Sequence, residues 1–139
     1  MKRGAKVFIK NEALGKYLFV LRDNNPNIPG PNCWSLVGGG VEENETPYEA
    51  LRREVLEEIN IPIFNLKLIR QMTAKDNVNG EEVEVQRYIF YAKTKASLEE
   101  IILAEGQAVA FFTLEEIVNN KKVCIGLKKL ILSYRDIIE

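Results

Sequence analysis

The 139-residue chain contains no histidine. That removes His-based zinc sites and every His-dependent triad. Acid, base and metal chemistry is left to carboxylates, Lys, Tyr, Cys or water. Cysteine is scarce too: Cys33 and Cys124 show no framework spacing and are expected to be incidental or buried thiols. No apolar run approaches the length of a membrane span, and MKRGAKVFIK is too short and interrupted for a signal peptide. Cytoplasm is therefore the expected location. Charge of one sign is also missing, since 19 Lys and Arg stand against 20 Asp and Glu, a net charge of −1. Such a chain has no basic surplus for nucleic acid or an anionic membrane.

What is present is ordinary for a globular protein: 46% hydrophobic and 28% charged residues. The expectation is one domain over residues 1–139 with a real core. AKVFIK alternates and reads as a strand, and EALG as a turn into a second strand, KYLFVLR, at 16–22. DNNPNIPGPN, at 23–32, is a loop by composition. CWSLV is a short strand running into Gly38, Gly39 and Gly40.

Thr46, Pro47 and Glu49 spell a capping box with proline at the first helical position. The helix should end near Ile59, with Asn60 as a left-handed cap and Pro62 as a stop. Strands follow at 65–74 and 82–94 around the turn NVNG, and again at 107–114. LEEIVNN is a short helix. Residues 125–138 have helical periodicity, with Leu127, Leu130, Ile131 and Tyr134 on one side. Strands, helix, strands, helix predicts a mixed sheet covered by helices rather than an alternating parallel fold.

The helix at 47–59 carries the chemistry. Tyr48, Leu51, Val55 and Ile59 form its apolar stripe, and Glu54, Glu57 and Glu58 form a ridge beside it. Like charges at this spacing cost roughly 0.2–0.5 kcal/mol per pair. The helix C-terminus, where Glu57 and Glu58 sit, prefers cations by about 0.3–1 kcal/mol. A divalent cation reverses both penalties, and oxygen ligands suit Mg²⁺ or Mn²⁺. The three glycines allow a phosphate or ion to approach the backbone closely.

Residues 39–61 resemble the Nudix box, G-x5-E-x7-R-E-U-x-E-E-x-G-U, where U is a bulky aliphatic. Gly39, Glu45, Arg53, Glu54, Val55, Glu57, Glu58 and Ile61 stand at the required spacing. Asn60 replaces the last glycine, and Asn is well suited to a left-handed conformation. The resemblance implies an α/β fold, an α/β/α sandwich around a mixed β-sheet. It implies hydrolysis of a nucleoside diphosphate linked to another group, with Mg²⁺ or Mn²⁺. Glu54 and Glu58 match the principal metal ligands and Glu57 an auxiliary one, with a carbonyl at Gly38 or Gly39 completing the shell. Arg53 matches the residue that orients the carboxylates, and Glu45 a supporting acid behind them. The catalytic base of the family lies in the box or on a later loop. Glu105, before the flexible Gly106, is the expected loop acid, as ligand or base.

The substrate is expected to be a small-molecule nucleotide, with no stable nucleic-acid partner and a monomer or homodimer as the assembly. An NTP or dNTP cleaved to NMP and pyrophosphate is the main reading, oxidised purines included. Arg22 resembles a phosphate-contacting position of the branch that cleanses oxidised dGTP, although Asp23 follows it. Asn120 lies roughly where that branch reads a purine. The ADP-ribose branch often has a proline where this chain has Asp76. Cleavage of nucleotide sugars or dinucleoside polyphosphates, and a non-catalytic nucleotide-binding module, are the alternatives.

Overall fold

The computed structural model describes residues 2–28 and 30–138; Pro29, inside the expected 23–32 loop, lies outside them. Its elements, in chain order, are β1 (Lys2–Asn11), β2 (Lys16–Leu21), β3 (Trp34–Ser35), β4 (Val37–Gly40), α1 (Pro47–Glu58), β5 (Phe64–Val78), β6 (Glu81–Thr94), β7 (Ala108–Phe112), α2 (Leu114–Val118) and α3 (Ile125–Ile138). A 3₁₀ turn at Leu98–Glu100 was not foreseen.

All seven strands join one mixed sheet in the order β3-β2-β1-β6-β5, with β4 also on β1 and β7 also on β2. β1 runs parallel to β6 along its whole length. Its other edge is shared: the first half pairs with β4, and the last two residues with β2. The expected strand CWSLV is two strands, because Trp34–Ser35 pairs with β2 while Val37 onward pairs with β1. Leu36, between them, is buried.

Alternation along the strands builds a core on each face. Ala5, Val7 and Ile9 meet Leu51 and Val55 of α1, and Ile59 just past its end, on one side. Phe8, Tyr17, Phe19 and Ile89 meet Leu114, Ile117, Leu127 and Ile131 on the other. The expected sandwich is therefore present, with α1 on one face and α2 and α3 on the opposite one. Trp34 packs edge-on against Phe112 at 5.0 Å, in the second core.

Local signals hold where they were strongest. Thr46 accepts from the Glu49 amide at 3.2 Å and the Glu49 carboxylate accepts from the Thr46 amide at 2.9 Å. Thr113 and Glu116 repeat the box at α2. Asn60 has φ 47°, the left-handed cap expected of it. Asn79 and Gly80 turn the β5–β6 hairpin with φ 52° and 84°, as a tight primed turn requires.

The cysteines overturn their expectation. Cys33 and Cys124 form a disulfide, their Cα atoms 5.0 Å apart across a sequence separation of 91. Backbone pairing makes the neighbours: Trp34 donates to the Lys122 carbonyl at 2.7 Å, and Cys124 donates to the Trp34 carbonyl at 3.0 Å. No spacing rule reveals that register. Such bonds are commonest in oxidising compartments. Among the described residues no helix is long and apolar enough to cross a membrane. Closing so long a loop restricts the unfolded chain, and loss of the bond typically costs about 2–4 kcal/mol. A Cys33→Ser/Cys124→Ser protein is expected to melt several degrees lower than the oxidised parent, by calorimetry. An unchanged melting temperature would show that the bond adds nothing to the Trp34–Val123 bridge.

Candidate active site

The site begins at β4. Gly38 has φ 148°, and a Cβ there would collide with the Ala5 carbonyl oxygen of β1. A Cβ on Gly39 would fall 2.5–2.7 Å from the Glu54 carboxyl atoms. With no side chains here, the α1 carboxylates lie directly on the β4 backbone. Glu58 accepts from the Gly38 amide at 3.2 Å.

Arg53 organises the acids. Its guanidinium donates to Glu45 through Nε at 2.8 Å and Nη2 at 2.9 Å, to Glu54 at 3.0 Å, to Glu57 at 3.3 Å and to the Gly40 carbonyl at 2.9 Å. These contacts hold the Glu45 carboxyl well below the usual range, at about 2, chiefly through the Arg53 hydrogen bond. The paired acids raise the Arg53 guanidinium in turn.

Glu54 and Glu58 both shift in the direction opposite to Glu45. Burial pushes the Glu54 carboxyl up against the counter-effect of Arg53. Burial also pushes Glu58 up, to about 7; Lys6 and the Gly38 amide oppose the shift, while Glu54 and Glu105 add to it. Two carboxylates whose ionised forms are disfavoured by burial, Glu58 also by Glu54 and Glu54 also by Glu57, fit a divalent cation held on oxygen. Glu57 does not join them as it stands: it is 57% exposed and turned toward Arg53. Among the described residues no group of three or more His, Cys, Asp or Glu side chains is placed to hold a metal ion. The ridge seen in the sequence is thus a pair, with Glu57 held aside by the arginine.

The loop after the 3₁₀ turn supplies Glu105. Ala104 donates to the Glu58 carbonyl at 2.9 Å and Gln107 to the Leu21 carbonyl at 2.8 Å. Gly106, at φ 94°, leaves no room for a Cβ against Leu21 and Val20. Glu105 is thereby brought to the same hollow as Glu58 and Arg22. Arg22 donates to the Gly30 carbonyl at 3.1 Å.

A cavity of about 540 Å³ joins these parts. The side-chain-free backbone at Gly38, Gly39 and Gly40 lets the acids of the α1 face share one space with the α3 face of the sheet. Lys6, Arg22, Glu54, Glu58, Glu105 and Gly39 all line it. Asn120 lines neither this cavity nor its smaller neighbour. Its carboxamide oxygen accepts from the Lys122 amide at 2.8 Å, the work of a turn residue.

The sequence matches the NUDIX domain family over residues 1–134. The chain belongs to the Nudix family. A nucleoside triphosphatase NudI of Salmonella agona (strain SL483) is 34% identical, over 74% of this chain and 77% of that protein. With these relatives, the chain is a Nudix hydrolase. The fold is shared with a MutT protein from Methanosarcina mazei Go1, at TM-score 0.76 and 20% identity over 97% of this chain and 93% of the other. An E. coli dihydroneopterin triphosphate pyrophosphohydrolase gives TM-score 0.71 at 20% identity, over 95% and 93%.

This Nudix hydrolase has functional-site candidates that sequence reasoning missed. Lys6 lines the same hollow as Arg22 and Glu58, and burial, then Arg22, lowers its ammonium to about 8. The signal was available: in AKVFIK it shares the inward face of the buried Phe8. Arg87 lines the cavity on the same face, two positions before the buried Ile89.

Proposed function

We propose that this Nudix domain hydrolyses a nucleoside triphosphate, ribo or deoxy, to the monophosphate and pyrophosphate. One observation carries the reading: the Glu54–Glu58 pair and the cations Lys6 and Arg22 line one cavity. Its size lies within the roughly 300–1,000 Å³ of small-molecule sites. Among the described residues neither Lys6 nor Arg22 has a carboxylate within ion-pair distance. Both are available to phosphate oxygens. The triphosphatase named among the relatives supports the same substrate class.

Glu54 and Glu58 would hold Mg²⁺ or Mn²⁺, with a Gly39 backbone oxygen beside them and Glu57 joining on release from Arg53. The cation supplies positive charge to the diphosphate oxygens and acidifies water. The residues do the rest. Arg53 fixes the rotamer of Glu54 and is itself anchored by Glu45 and the Gly40 carbonyl. Lys6 and Arg22 orient the phosphate chain. Glu105, exposed on its loop and facing Glu58 across the hollow, accepts the proton of the attacking water. The water oxygen bonds to phosphorus, the bridging P–O bond breaks, and pyrophosphate leaves with that electron pair.

The test incubates the protein with Mg²⁺ and canonical or 8-oxo nucleoside triphosphates, nucleotide sugars, ADP-ribose and dinucleoside polyphosphates. Products are separated by ion exchange. Triphosphates yielding monophosphate and pyrophosphate is the expected result. Turnover confined to sugars or dinucleotides would overturn the substrate class. Nucleotide binding without turnover would favour a binding module. Asn120 gives the oxidised-purine branch no support, so no preference for 8-oxo-dGTP over dGTP is expected.

A further inference from the structure

Beyond the acids and phosphate-facing cations, the cavity has a second region that the reaction does not use. Val85 and Ile89 of β6 line it, as do Leu127 and Leu130 of α3. Apolar walls of this kind suit a flat heterocycle. Arg87 and Asp76 line the same region, carried by the β5–β6 hairpin. Arg87 Nη2 donates to both Asp76 oxygens, at 3.0 and 2.8 Å.

The pair is incomplete. Arg87 Nε is shut from solvent and has no hydrogen-bond partner. Nη1 has none either among the described residues. A guanidinium stays protonated and only donates, so whatever completes it must bring an acceptor. That acceptor is better a neutral carbonyl than a phosphate. Asp76 already forms an ion pair with Arg87, whereas among the described residues no carboxylate stands within ion-pair distance of Lys6 or Arg22.

We propose that Arg87, positioned by Asp76, selects nucleotides whose base carries a ring carbonyl over adenine nucleotides. Guanine, cytosine, uracil and thymine each offer a carbonyl oxygen to arginine. Adenine offers only ring nitrogens, and its usual partners are Asn and Gln. Asp76 keeps lone pairs for a base N–H at the same edge. Arg87 is thus a specificity residue and Asp76 a positioning residue. The inference rests on the nucleotide reading above, but the base preference can be measured without hydrolysis.

Two measurements are made on the parent, Arg87→Met and Asp76→Asn proteins. One is kcat/KM for dGTP, dCTP, dUTP and dATP with Mg²⁺. The other is the Kd of GMP, CMP, UMP and AMP by calorimetry without metal. The parent is expected to favour carbonyl bases over adenine by about tenfold in both, the scale of one well-formed base contact. Arg87→Met should bring that ratio to within about twofold, and Asp76→Asn should lower it part of the way. A merely structural role would lower all bases together and leave the ratio alone. Equal parental use of adenine, or a ratio unmoved by Arg87→Met, overturns the inference. If no triphosphate is hydrolysed, the proposed activity falls, and the monophosphate Kd values alone decide the preference; absence of monophosphate binding overturns it. Should Arg87→Met strand Asp76 and unfold the protein, the double variant Asp76→Asn/Arg87→Met removes both charges and carries the same expectation.

Discussion

Glu58→Gln is expected to lower kcat by roughly 10²–10⁴-fold, the scale of one lost catalytic charge, and yet to raise the melting temperature of the metal-free protein near pH 8. The two effects share a cause. Glu58 is pushed up to about 7 because burial penalises its charge, so ionisation there works against folding. The sign is definite: the folded state holds this proton to higher pH than the unfolded chain does. Between the ordinary carboxyl value of 4.5 and about 7 the folded state therefore binds more protons. The Glu58 contribution to metal-free stability falls as pH rises through that window. Gln keeps an oxygen for the Gly38 amide and carries no charge. Melting curves at pH 5 and pH 8 check this: the variant should gain on the parent at pH 8 and not at pH 5. A variant that is less stable at both would mean that Glu58 is satisfied as it stands.

Gly38→Ala is expected to cost more than about 3 kcal/mol, in the range that marks backbone strain and collision together. φ at 148° is a conformation closed to ordinary side chains, and the added Cβ runs into the Ala5 carbonyl oxygen and lies 2.8 Å from Lys6 Cα. Those atoms belong to β1, the strand shared by β2, β4 and β6, so they cannot retreat cheaply. The Gly38 amide also holds Glu58, so activity should fall with stability. Urea unfolding provides the number. By contrast, a Cβ on Gly40 meets nothing within 4 Å, so Gly40→Ala is the internal control. Equal losses at the two positions would remove the special role of Gly38.

The parts of the fold legible in the sequence are those written in local chemistry. Thr46, Pro47 and Glu49 announce α1 because their bonds close within one turn. Asn79 and Gly80 announce the hairpin because the turn needs two positive φ angles. The place of Glu105 on a loop ahead of a strand was legible for a similar reason, an acid beside a flexible glycine. What escaped depends on contacts between distant segments. The disulfide follows from the Trp34–Val123 bridge, which no spacing encodes. The ridge of Glu54, Glu57 and Glu58 was correct as helical geometry, but the Arg53 guanidinium draws Glu57 aside, and helix periodicity is blind to side-chain rotamers. Lys6 and Arg87 stand on inward strand positions, where a charge is unusual. They signal a cavity only once the missing side chains of β4 are seen to open one. Asn120, placed by sequence position alone, accepts from the Lys122 amide in a turn and does not line the cavity that holds the acids.

The central claim is that the half-buried pair Glu54 and Glu58, beside the side-chain-free Gly38 and Gly39, is built to hold a divalent cation. Mn²⁺ binding followed by electron paramagnetic resonance at pH 8, on the parent and on Glu58→Gln, tests it most directly. The account predicts saturable binding to the parent that Glu58→Gln weakens at least tenfold. Equal Mn²⁺ affinity in the two proteins would contradict it.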